Sequence, residues 1–167
     1  MSDGSASPLR VAAGTLVVVV VLAVVLIAAA AGAVVEGVAG IAEPAGLTLP
    51  PISSQTEVTG WPWGQCTWYV ALRRAEMGEP VTWGGDAWQW LAHAEAQGKP
   101  TSSLPLPGAI VVYRRGGPYD PLDGHVALVV AITPTSYTVS EANYSGLGVI
   151  DTRSIAWPDP HVAGFIV

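Results

Sequence analysis

Cys66 is the only cysteine among 167 residues, and it stands in Trp63-Gly64-Gln65-Cys66-Thr67-Trp68-Tyr69. With no second thiol it has no intrachain disulfide to form. It is either a buried small hydrophobe or a nucleophile. A nucleophilic thiol needs a base within reach and a group that orients the base. His125, in Gly124-His125-Val126-Ala127, and Glu141 with Asn143, in Ser140-Glu141-Ala142-Asn143-Tyr144, are of the right types. In such a set His125 takes the thiol proton or holds the thiolate as an ion pair. Glu141 bonds the other imidazole nitrogen and fixes tautomer and ring orientation. The thiolate attacks a carbonyl carbon, the Cys66 backbone N–H helps to bind the oxyanion, His125 protonates the leaving amine, and water clears the thioester. The chain has no Cys-x-x-Cys pair, which excludes a zinc ribbon and a thioredoxin-type redox site.

The elements that must position these groups can be read from pattern. Gln65 to Met77 contains good helix formers and stops at Gly78, which predicts a helix with Cys66 in its first turn. Free backbone N–H groups and the helix dipole there stabilise an anion, whether thiolate or oxyanion. Asp86 to Gln97 predicts a second helix, opened by Asp86 and Gln89 as a capping-box variant and closed by Gly98. Strands are expected at Ala109 to Tyr113, His125 to Ile132 and Tyr137 to Asn143. Shorter ones are expected at Val149 to Asp151 and Ala163 to Val167, the last closing the sheet. Helices followed by an antiparallel sheet make an α+β fold. A turn at Thr133-Pro134-Thr135-Ser136 folds His125 back toward Glu141 and Asn143. An even register sets all three on one face, and a slip of one residue separates them.

Four blocks together resemble a known family. Trp63 to Tyr69 looks like the signature of the CHAP domain (cysteine, histidine-dependent amidohydrolase/peptidase). Pro107-Gly108-Ala109-Ile110, Gly124 to Ala127 and Ser140 to Tyr144 are similar to its later blocks in the same order. The resemblance covers roughly Gly60 to Val167. It implies a papain-like α+β fold and hydrolysis of amide bonds in peptidoglycan, by an N-acetylmuramoyl-L-alanine amidase or a peptide-bridge endopeptidase. It makes Cys66 the nucleophile, His125 the base, Glu141 the orienting acid and Asn143 a polar fourth member near the oxyanion or the histidine. Gln65, beside the nucleophile, is assigned to the oxyanion and substrate groove. Trp63 and Trp83, in loop-like contexts, are expected as groove walls. Some members of that family hold calcium through an acidic cluster ahead of the cysteine. Val58-Thr59-Gly60-Trp61-Pro62 has none, so no metal and no cofactor is expected.

The rest of the chain concerns delivery. Val11 to Val35 is a run of about 25 residues without a charge, enough to span a hydrocarbon core of about 30 Å. Arg10 precedes it and the next basic residue is Arg73, which sets the N-terminus in the cytoplasm and the remainder outside. A cleaved signal peptide, with Ala31-Gly32-Ala33 as its site, is the alternative. The expected organisation is a cytoplasmic tail over 1–10, a transmembrane helix over 11–35, a Pro/Gly/Ser-rich tether over 36–60 and a catalytic domain over 61–167. Stretched, the tether would reach roughly 80 Å. A net charge of −6 and a pI near 4.8 argue against a nucleic-acid partner. The expected partners are peptidoglycan, the lipid bilayer and envelope, secretion or conjugation proteins. A non-enzymatic envelope adaptor that binds wall peptides or other proteins is the competing reading.

Overall fold

A computed structural model describes residues 46–52, 58 and 60–167 of the chain. The apolar segment Val11 to Val35 and the tether up to residue 45 lie outside the described residues. Among the described residues no helix is long and apolar enough to cross a membrane.

Helix α1 spans Cys66–Glu76, with Gln65 as its extended N-cap. Gly78 ends it with φ +82°, the left-handed conformation that glycine adopts without strain. Cys66, Trp68, Tyr69, Val70, Ala71 and Leu72 are all buried, so this helix runs through the core rather than over it. Its far end is tied down by Arg74, whose Nη1 donates to the Gly108 carbonyl at 2.7 Å. The second helical region divides into a 3-10 turn at Ala87–Gln89 and helix α2 at Trp90–Ala96, where one continuous helix was expected. The Asp86 backbone N–H donates to Gln89 Oε1 at 2.9 Å, and Trp88 N–H donates to the Asp123 carbonyl at 3.0 Å. The second bond pins this turn to the loop in front of His125.

The sheet has six strands: β1 Thr101–Ser102, β2 Ile110–Tyr113, β3 His125–Ile132, β4 Ser136–Ala142, β5 Ile150–Ala156 and β6 Val162–Ile166. Their order is β1-β6-β2-β3-β4-β5, and every neighbouring pair is antiparallel. Two expectations are corrected here. Strand β6 does not close the sheet but inserts between β1 and β2. Strand β5 is longer than the Val149 to Asp151 stub: it runs to Ala156 at the sheet edge, and its residues alternate between exposed and more buried positions although its sequence is mostly polar.

Alternation along the strands builds two cores. Ile110, Val112 and Val126 join α1 and α2 on one face. Val111, Tyr113, Ala127, Val129, Tyr137 and Val139 pack on the other with Phe165 and Val162. His125 pairs with Tyr113 and so shares its face, and Glu141 shares a face with Tyr137 and Val139. The β3–β4 register runs Leu128 to Ser140 and Val129 to Val139, then shifts before Ala131. The extra residue is Val130, whose carbonyl accepts from Leu47 N–H at 2.7 Å. Residues 46–52, read from sequence as part of the extended tether, therefore lie against the domain, with Ile52 packed on the first core.

Candidate active site

Cys66 is the first residue of α1 and is 8% exposed. Its thiol is free. As the opening residue of the helix it carries a backbone N–H with no partner inside the helix. His125 opens β3 and is 2% exposed. Gly124 delivers it. That residue has φ +67°, and a Cβ there would lie 2.7 Å from the Tyr113 carbonyl and 2.8 Å from Trp88 Cβ. Only glycine lets the chain turn at this distance from its neighbours.

The imidazole Nε2 donates to Glu141 Oε2 at 2.8 Å. That leaves Nδ1 free to serve Cys66, which lines the same cleft and favours the protonated ring. Glu141 is fully buried and accepts further bonds from Arg153, through Nε to Oε1 and through Nη2 to Oε2 at 3.3 Å. Burial alone would push the His125 imidazole down. Cys66 and Glu141 outweigh burial and raise it from 6.5 to about 9. Burial would likewise push the Glu141 carboxyl up, but the bonds from His125 and Arg153 prevail and hold it below the usual carboxylate range.

Asn143 follows β4 with φ +62°, a left-handed conformation that asparagine tolerates better than most residues. Its Nδ2 donates to Gln65 Oε1 at 2.8 Å. That bond orients the Gln65 amide, whose Nε2 donors remain available to the cleft. Cys66, His125, Gln65 and Asn143 all line one cleft of about 380 Å³. Trp61, Tyr119, Asp86, Asp120 and Asp123 complete much of its wall. Among the described residues no group of His, Cys, Asp and Glu side chains is placed to hold a metal ion.

Neither tryptophan expected as a groove wall lines this cleft. Trp83 is 6% exposed and meets Trp90 edge-on at 5.9 Å in the core. It borders a separate cavity of about 350 Å³ with Arg74 and Lys99. Trp63 is 48% exposed, but its ring covers Gly148, where a Cβ would come within 2.6 Å of it. It packs the loop after β4 onto the start of α1, where Gly148 N–H donates to the Gly64 carbonyl at 3.0 Å. The aromatic residues lining the cleft are Trp61 and Tyr119 instead. Tyr119 stacks on His125 with centroids 6.4 Å apart and donates its hydroxyl to Asp159 Oδ2 at 2.6 Å. Arg153 also belongs to the site, and no local pattern announced it, because only the β4–β5 register brings it to Glu141.

The site is of the cysteine–histidine–carboxylate class, set where a helix start meets the end of an antiparallel sheet. The chain belongs to the CHAP domain family, whose model matches residues 56–143. It is 35% identical over 108 residues to an N-acetylmuramoyl-L-alanine amidase domain-containing protein of Staphylococcus aureus, covering 63% of this chain and 17% of that one. It is 37% identical over 99 residues to a probable autolysin of the same species, covering 58% of this chain and 33% of the relative. A crystal structure of an N-acetylmuramoyl-L-alanine amidase from Staphylococcus aureus superposes with a TM-score of 0.59 at 34% identity, over 64% of this chain and 31% of the other. The chain thus spans about a third or less of the length of each of these proteins.

Proposed function

We propose that this domain is a cysteine-dependent amidohydrolase or peptidase that hydrolyses amide bonds in peptidoglycan. The observation that carries the reading is the buried His125–Glu141 hydrogen bond beside Cys66 at the wall of an open cleft. The names of its relatives favour N-acetylmuramoyl-L-alanine amidase over bridge endopeptidase. The scissile carbonyl is then that of the muramoyl lactyl group, and the leaving amine is that of L-alanine.

In this mechanism His125 Nδ1 holds the thiol proton, and the Cys66 thiolate attacks the carbonyl carbon. The oxyanion is met by the Cys66 backbone N–H and the Gln65 Nε2 donors, with Asn143 holding Gln65 in place. His125 gives its proton to the departing amine. It then takes one from the water that cleaves the thioester, which restores the thiol. Glu141 keeps the ring oriented throughout.

The proposed setting is extracytoplasmic, with Val11 to Val35 as a membrane span and residues 1–10 inside the cell. Envelope or secretion-system proteins are the partners such a setting offers.

The test is digestion of purified peptidoglycan by the full chain in detergent micelles with reductant, wild type against Cys66→Ala, read by mass spectrometry. Wild type should release peptides with new L-alanine amino termini, and Cys66→Ala should be slower by at least about 1,000-fold. New termini inside the peptide bridge would reassign the bond. Wall binding without products from wild type would favour the adaptor.

A further inference from the structure

We propose that Arg153 is a positioning residue of this site, clamping the Glu141 carboxylate against His125 from the neighbouring strand and completing the charge balance of the catalytic set. The inference rests on the hydrolase reading above, but its test does not require peptidoglycan.

The placement follows from register. Glu141 pairs with Asp151 across β4 and β5, and Arg153 stands two residues further along β5 on the same face. Its Nε and Nη2 grip both carboxylate oxygens. A two-point grip fixes the plane of the carboxylate, and with it the direction in which Oε2 meets His125 Nε2. The guanidinium is itself held, 3.4 Å from the centroid of Tyr144 and 5.3 Å from that of Tyr119. Both rings also contact His125, each with centroids 6.4 Å away. One cation and two rings thus fix the carboxylate and the imidazole together.

Charge gives the second argument. With Cys66 as thiolate, His125 protonated and Glu141 ionised, the buried set carries a net −1, and Arg153 brings it to zero. The other titratable groups facing Glu141 are Asp151 from β5, whose Oδ2 is taken up by the Ser145 hydroxyl at 2.7 Å, Tyr113 from β2 and Tyr137 from its own strand, with Tyr119 and Tyr144 around Arg153. Burial raises the hydroxyls of Tyr113, Tyr119 and Tyr137, so none of these supplies a charge near neutral pH. Among the described residues, the ion pairs of Glu141 are to His125 and Arg153 alone. An uncompensated buried charge is costly, so without Arg153 the set would ionise less readily.

The experiment uses the full chain in detergent micelles and follows alkylation of its single thiol by iodoacetamide from pH 4 to 10, with thermal unfolding in parallel. Removing a cation raises the pKa of each acid beside it, so Arg153→Gln should shift the acid limb up by at least about one pH unit. Arg153→Lys keeps the charge without the fork. It should return the limb to within about half a unit of wild type, while the His125 Nε2–H proton, followed by NMR, exchanges at least about tenfold faster. A folded Arg153→Gln chain with the wild-type alkylation profile overturns the proposal. Should Arg153→Gln fail to fold, Arg153→Lys decides, and wild-type exchange of that proton overturns it. If wild type makes no wall products, the hydrolase reading fails while the alkylation profile still judges Arg153.

Discussion

At the scale of residues, each group in the site owes its state to its neighbours. The His125 imidazole is raised although burial opposes it, because Cys66 and Glu141 favour the protonated ring. The sign of the pH dependence follows. A group whose pKa is raised on folding contributes stability fully present below its ordinary 6.5 and lost as pH rises through about 9. Glu141 works in the opposite direction, contributing above the usual carboxylate range and losing its contribution as pH falls through it. Wild-type melting temperature should therefore decline between pH 6.5 and about 9. Thermal melts of His125→Gln across that window should show a flatter dependence; an unchanged slope would mean that other groups set it. Activity should lose its alkaline limb near pH 9, where the imidazole gives up its proton.

At the scale of elements, the site depends on how closely backbones approach one another. Gly124 is squeezed between Tyr113 and Trp88 in a left-handed conformation, and His125 follows it directly. Gly124→Ala must relieve both the strain and the contact. It should cost about 2 kcal/mol or more in chemical denaturation and reduce hydrolysis by displacing His125. Gly78→Ala is the control. Gly78 also has positive φ, but a Cβ there meets nothing within 4 Å. Its cost should stay near 1 kcal/mol, with activity intact. Equal losses from the two would argue that strain, rather than the approach to Tyr113 and Trp88, dominates at Gly124.

At the scale of the whole molecule, the domain begins earlier than its chemistry does. Residues 46–52 return to the sheet, where Leu47 N–H takes the carbonyl freed by the β3 bulge and Ile52 joins the helical core. A chain starting at residue 44 should therefore be more stable than one starting at residue 58, by about 2 kcal/mol from one hydrogen bond and one partly buried side chain. Urea titrations of the two would measure the difference. Equal midpoints would show that this segment adds nothing to the fold.

Local pattern alone made several things legible. The order of elements, the helix start at Cys66 and the identity of His125, Glu141 and Asn143 as candidates all follow from short-range signals. Periodicity, capping residues and a turn at Pro134 are sufficient for them. The CHAP blocks are local as well, each a few residues long. Other features needed the folded chain. The insertion of β6 between β1 and β2 joins distant segments, and no nearby residue announces it. Trp63 and Trp83 looked alike in sequence, yet one covers a glycine and the other fills a core, because contact partners far along the chain decide. Arg153 belongs to the site only through the β4–β5 register, which sets it diagonally across from Glu141. Pairing register and the close approach of distant backbones are properties of the assembled sheet, and they determine which charges meet.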